Sequence, residues 1–191
     1  MCASFSAMFE SKPEPYKVCL LGCAGVGKTC FAIRVIKGEF REDPQATIGV
    51  GFADIKMEVD GKVVQFKLWD TAGQERYRCL VPSYAKGSNA VILMHNLADP
   101  NSADGLTEYL SMIPNDCNIV AVVGNKLDLK SGDDVNENKF NFPYFEISAM
   151  TGMGVQEVIS WVAQKLVELP LCTETTHEEL PRPGEKETCA C

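Results

Sequence analysis

An α/β fold is predicted for this chain: a six-stranded, mostly parallel sheet with one antiparallel edge hairpin strand and helices on both faces. Three observations predict it. Strand-like and helix-like runs alternate from about residue 16 to 169, one Asp-Gly pair splits two adjacent strand-like runs, and a glycine-rich stretch joins the first strand to the first helix. Alternation of this kind builds a sheet covered on both sides.

The elements follow in order. Y-K-V-C-L-L-G (16 to 22) is a continuous apolar run of strand length, and G-K-T-C-F-A-I-R-V-I-K (27 to 37) has helical spacing. Between Gly49 and Trp69 two strand-like runs flank Asp60-Gly61, a dipeptide that favours a two-residue hairpin turn. Further buried strands are expected at Ala90 to His95, Ile119 to Gly124 and Tyr144 to Ile147, with helices near 102 to 113 and 153 to 169. In the last helix Val155, Val158, Ile159, Val162, Leu166 and Leu169 recur on one face. A flexible arm is expected over 1–15, one domain over 16–169, and a disordered acidic tail over 170–191.

Bulk composition narrows the function classes. With 191 residues and 46% hydrophobic content the chain can fill one core. A formal charge of −8 with scattered Lys and Arg argues against a nucleic-acid partner and against direct binding to anionic lipid. No apolar run reaches the roughly 18 residues of a membrane-spanning helix. The opening M-C-A-S-F-S-A-M-F-E-S lacks the basic segment of a secretory signal, so a cytosolic protein is expected. Nine irregularly spaced cysteines without a C-x-x-C pair then suggest no disulfide framework or zinc site, and Cys19, Cys30 and Cys117 are expected as small core residues. The terminal C-x-C, Cys189 and Cys191, is left open by composition as a redox, metal, disulfide or attachment pair.

The residues that carry chemistry begin at the first strand-helix junction. G-C-A-G-V-G-K-T, comprising Gly22, Cys23, Ala24, Gly25, Val26, Gly27, Lys28 and Thr29, has the spacing G-x4-G-K-S/T and opens a helix whose next residue is Cys30. Phosphate binding needs inward-facing backbone N–H groups, close approach of the chain, a helix N-terminus and a cation, all of which this P-loop supplies; the Thr29 hydroxyl suits Mg²⁺. In W-D-T-A-G-Q-E-R (69 to 76), after a strand, Asp70 can hold Mg²⁺ through water and the side-chain-free Gly73 amide can meet a terminal phosphate. The third element is N-K-L-D, with Asn125, Lys126 and Asp128, directly after V-A-V-V-G. A carboxylate at Asp128 can accept both N1–H and N2–H of guanine, which adenine does not offer, so guanine is the expected base.

At this point the chain resembles the Ras-like small GTPases from about 16 to 169, in the order G-x4-G-K-T, a loop threonine, D-T-A-G-Q, N-K-L-D and S-A-M. The resemblance implies that GTP or GDP is bound with Mg²⁺, that Thr47 closes over the metal and the γ-phosphate, that Gln74 orients the attacking water, and that Ser148, Ala149 and Met150 lie near the guanine. T-I-G-V-G-F, W-D-T-A-G-Q-E-R-Y-R and the C-x-C ending look most like the Rab branch, which implies geranylgeranylation of Cys189 and Cys191. One lipid chain anchors marginally and the tail has no basic cluster, so two lipids are expected.

The expected protein is a slow GTPase that serves as a switch at the cytoplasmic face of an intracellular membrane, with a cytosolic pool. Its implied partners are a guanine-nucleotide exchange factor, a GTPase-activating protein, effectors contacting residues 44–52 and 71–86, a prenyl transferase and a lipid-masking escort. A guanine-nucleotide-binding adaptor without hydrolysis is the first alternative, and a P-loop ATPase or small-molecule kinase the second. Departures from the family carry expectations too. Ala24 is expected to crowd Gln74 or the attacking water and slow turnover, and Met150, in place of a usual lysine, to cost some nucleotide affinity. The family's helix around 130–142 is expected to be reduced or absent, because K-S-G-D-D-V-N-E-N-K-F-N-F lacks helical apolar spacing.

Overall fold

The structure, a computed structural model, describes residues 15–42, 47, 49–130 and 141–169. Six strands form one sheet: β1 (Tyr16–Leu21), β2 (Val50–Val59), β3 (Lys62–Thr71), β4 (Ala90–Asn96), β5 (Ile119–Asn125) and β6 (Tyr144–Glu146). Their spatial order is β2-β3-β1-β4-β5-β6, with every pair parallel except β2 with β3. The antiparallel edge hairpin is therefore where the Asp-Gly signal put it. Asp60 and Gly61 have φ of 51° and 76°, the left-handed pair that a two-residue turn between right-twisted strands requires.

Side chains alternate across a strand, so β1 feeds two cores. Val18 and Leu20 pack with Phe31, Phe66, Ile92, Val158 and Leu166 beneath α1 (Lys28–Lys37) and α4 (Val155–Glu168). Cys19 and Leu21 face the other way, toward Val81 and Ala85 of α2 (Val81–Ala85) and Leu106 and Tyr109 of α3 (Leu106–Leu110). Helices thus cover both faces. Cys19 and Cys117 are buried as expected, whereas Cys30 is half-buried, sits on the first turn of α1 and belongs to neither core. Its Sγ donates to the Arg41 carbonyl at 3.8 Å, so it lies at the rim of the fold rather than within it.

Two expectations about helices change. The stretch 102–113 is a 3-10 turn, Pro100–Ala103, followed by only five residues of α3. Local side-chain bonds break the longer helix: Asp99 accepts from the Asn101 N–H at 3.1 Å and Ser102 Oγ accepts from the Asn96 N–H at 2.9 Å, pinning this segment to the end of β4. A 3-10 helix, Glu75–Leu80, and the short α2 precede β4 and have no periodic signal in the sequence. Most of the reduced helix expected around 130–142, the 1–15 arm apart from Pro15, and the 170–191 tail with Cys189 and Cys191 lie outside the described residues. Among the described residues no helix is long and apolar enough to cross a membrane.

Candidate functional site

The chain order reverses about β1, which has β3 on one side and β4 on the other. Ligands of open parallel sheets gather at such a point, beyond the carboxyl ends of the strands. A cleft of about 800 Å³ opens there, within the range of pockets that enclose a small molecule. Its wall includes Ala24, Gly25, Gly27, Lys28, Thr29 and Cys30 from the β1–α1 junction, Gly73 and Gln74 after β3, Thr47, and Asn125, Lys126, Asp128, Ala149 and Met150 at the far end.

Most of the residues singled out in the sequence therefore converge. Gly22 and Val26 are buried beneath the cleft, and half-buried Cys23 lies outside its lining. Two close approaches explain glycines. At Gly27, with φ of 94°, a Cβ would sit 2.3 Å from Asn125 Nδ2; at Gly73 it would sit 2.2 Å from Lys28 Nζ and 2.6 Å from the Cys23 carbonyl oxygen. Any side chain there pushes the β1–α1 loop away from β5 or β3.

Lys28 is only 5% exposed, and its ammonium donates to the Gly22 and Cys23 carbonyls at 2.7 and 2.8 Å. Burial lowers its pKa to about 8, against the pull of the Asp70 carboxylate and Cys23. Asp70, buried at the end of β3, has its pKa raised by burial, partly opposed by hydrogen bonds from Thr29 and Thr47 and by the Lys28 charge. Thr29 Oγ1 and Thr47 Oγ1 are 2.9 Å apart, and Thr47 donates to Asp70 Oδ2 at 3.3 Å. Asp70 Oδ1 is buried without a hydrogen-bond partner among the described residues. Two hydroxyls and a partly unsatisfied carboxylate are the hard oxygen donors that fit Mg²⁺.

At the other end, Asn125 joins three segments. Its Nδ2 donates to the Val26 carbonyl at 2.9 Å and its Oδ1 accepts from the Ala149 N–H at 3.0 Å. Ser148, buried outside the cleft lining, donates to Asp128 Oδ1 and accepts from the Thr151 N–H at 3.0 Å. Asp128 follows Lys126, whose φ of 68° turns the chain sharply after β5 into the 3-10 turn Leu127–Leu129. Met150 is 52% exposed and extends along the cleft.

The cleft also recruits residues that the sequence did not reveal: Phe40 and Glu42 after α1, Thr71 at the end of β3, and Leu129. Phe40 offered one signal, an aromatic residue in a loop, but nothing local says that this loop folds back over the first turn of α1.

Fold, junction and cleft define an α/β nucleotide-binding protein of the P-loop class. Comparison with known proteins sharpens this. The Ras family model matches residues 17–168. GTP-binding protein YPT53 of Saccharomyces cerevisiae is 34% identical over 166 residues, covering 78% of this chain and 76% of the relative. Ras-related protein Rab-4A of Homo sapiens is 33% identical over 176 residues, covering 86% and 80%, and Ras-related protein Rab-30 of Homo sapiens 35% over 181 residues, covering 89% of each. The chain belongs to the Ras family: it is a small GTPase, similar to Rab and Ypt proteins over most of its length.

Proposed function

We propose that the chain is a membrane-tethered GTP/GDP switch of Rab type that acts in vesicle trafficking and hydrolyses GTP slowly unless a partner assists. The observation that carries this reading is the convergence, in one cleft, of Lys28, Thr29 and Thr47 above Asp70 at one end and of Asn125, Asp128 and Ala149 at the other.

The triphosphate lies along the β1–α1 junction, where the free N–H groups and the dipole of α1 face it. Lys28 exchanges its two carbonyl partners for phosphate oxygens, and an anion beside it favours the charged form that burial disfavours. Thr29, Thr47 and Asp70 would hold Mg²⁺, which when bound neutralises phosphate charge during transfer. Gln74 orients water for attack on the γ-phosphorus, and the products are GDP and phosphate. Asp128 accepts the two guanine donors while Ser148 fixes its carboxylate. Thr47 and the Gly73 amide contact the γ-phosphate, and its departure frees both segments, which changes the surface that partners read.

Slow turnover, roughly 10⁻⁴ to 10⁻³ per second for an unassisted GTPase of this kind, requires an activating protein, and tight GDP requires an exchange factor. Effectors contact residues 44–52 and 71–86. The G domain spans 16–169, and the 170–191 tail carries the tether at Cys189 and Cys191, added by a prenyl transferase and masked in the cytosol by an escort. With two lipids the protein stays at the cytoplasmic face of an intracellular membrane; Cys189→Ser should bind membranes only transiently, and undiminished retention in a flotation assay would remove the two-lipid reading. For the site itself, a fluorescent GDP bound to the full chain should be displaced by GTP and not by a thousandfold excess of ATP. Equal displacement by ATP would refute the guanine assignment.

A further inference from the structure

Arg34 lies on the α1 face that looks toward the loop after β6. It lines no part of the cleft, yet its guanidinium makes three hydrogen bonds, all to main-chain carbonyls. Nε donates to the Ala149 oxygen at 2.9 Å, Nη2 donates to the Met150 oxygen, and Nη1 donates to the Gly38 oxygen at 2.5 Å. The Gly38 N–H in turn donates to the Arg34 oxygen at 2.9 Å. The cation therefore sits at the C-terminal end of α1, where the helix dipole favours it, and reaches across to two consecutive carbonyls of another segment.

These bonds close a ring. From α1, Arg34 holds the Ala149 carbonyl; the Ala149 N–H donates to Asn125 Oδ1; Asn125 Nδ2 donates to Val26; and Val26 leads through Gly27 back into α1. The loop 148–153 has its own internal bonds, Gly152 N–H to Ser148 O at 2.8 Å and Ser148 N–H to Met153 O at 3.0 Å. It can move as a unit, and Arg34 and Asn125 fasten that unit to the element that carries Lys28 and Thr29. Asn125 also lines the cleft, so its loss confounds fastening with contact. Arg34 does not.

We infer that Arg34 is a positioning residue that governs nucleotide release, by latching the base-side loop to the phosphate-side helix. This rests on reading the cleft as a guanine-nucleotide site. Opening the base end without disturbing the phosphate end requires the 148–153 loop to leave α1, and the guanidinium fork is what opposes that motion. Because both acceptors are backbone, no side-chain change at Ala149 or Met150 can replace the latch. A lysine at 34 offers one ammonium, which cannot span two carbonyls and Gly38 together.

The test uses the full chain loaded with fluorescent N-methylanthraniloyl-GDP and Mg²⁺ and chased with excess GDP. Arg34→Met, which keeps an unbranched stem and removes the donors, should release GDP about tenfold faster, the equivalent of ~1.4 kcal/mol. Arg34→Lys should fall between native and Met. Single-turnover hydrolysis of preloaded GTP should change by less than about threefold in both, because the latch is remote from Gln74 and Gly73. Release at the native rate in Arg34→Met overturns the role of Arg34. A parallel tenfold loss of hydrolysis, with Lys no better than Met, also overturns it, since that pattern marks general loosening. A native chain that retains no guanine nucleotide overturns the reading of the cleft itself.

Discussion

Buried charge is placed unevenly among the residues of this fold, and His95 shows how to read it. It is fully buried on β4, its ring stacks on Tyr144 with centroids 5.9 Å apart, and its Nε2 lies 3.3 Å from Tyr144 Oη. Its Nδ1 has no partner among the described residues. Burial lowers its pKa from the ordinary 6.5, outweighing the attraction of Glu146. Glu146 is itself paired with Lys130 at 2.9 Å, which weakens that attraction. The folded chain thus takes up this proton less readily than the unfolded one. Stability is whole above the unfolded value of about 6.5 and is lost as pH falls from there toward the lower folded value. Melting temperature between about pH 7.5 and 5.5 should therefore fall by ~2–4 °C more in the native protein than in His95→Phe. Equal pH dependence in the two would remove His95 from this account.

Among the elements, legibility in the sequence followed periodicity. Of the six residues expected on the apolar face of the last helix, Val155, Val158, Ile159, Val162 and Leu166 are buried, with Ala163 beside them, whereas Leu169 follows the end of α4 and is half-buried. Leu166 packs fully buried against the sheet, so Leu166→Ala should cost ~2–5 kcal/mol and lower the melting temperature by roughly 5–15 °C in differential scanning calorimetry. A shift under about 2 °C would show that α4 collapses onto the gap. The hairpin was legible because Asp60-Gly61 dictates its own turn. The helix expected over 102–113 was not, because apolar spacing says nothing of Asp99 and Ser102 diverting the backbone into a 3-10 turn. Cys30, expected both as a small core residue and beside the nucleotide, belongs to neither core and lines the cleft from the first turn of α1.

For the whole molecule, motifs told which residues matter and topology told where they meet. Lys28 opens α1 just after β1, and Asp70 and Asn125 stand at the ends of β3 and β5, strands whose parallel pairing around β1 brings their carboxyl ends to one rim. Each could be picked from its own motif, since a strand followed by a glycine-rich or polar turn is a local pattern. Phe40, Leu129 and Arg34 could not, because their roles depend on segments brought together from distant parts of the chain, as when Arg34 reaches Ala149. Thr47 is intermediate: alone it is one loop threonine, and its meaning comes from the 2.9 Å approach to Thr29. The central claim is that this rim is a GTP-hydrolysing switch rather than a passive nucleotide holder. Single-turnover hydrolysis of bound GTP by the full chain and by Gln74→Leu tests it most directly. The native protein should convert GTP to GDP and phosphate at roughly 10⁻⁴ to 10⁻³ per second, with Gln74→Leu slower by about tenfold or more. GTP surviving unchanged, or disappearing at the same rate in both proteins, would contradict it.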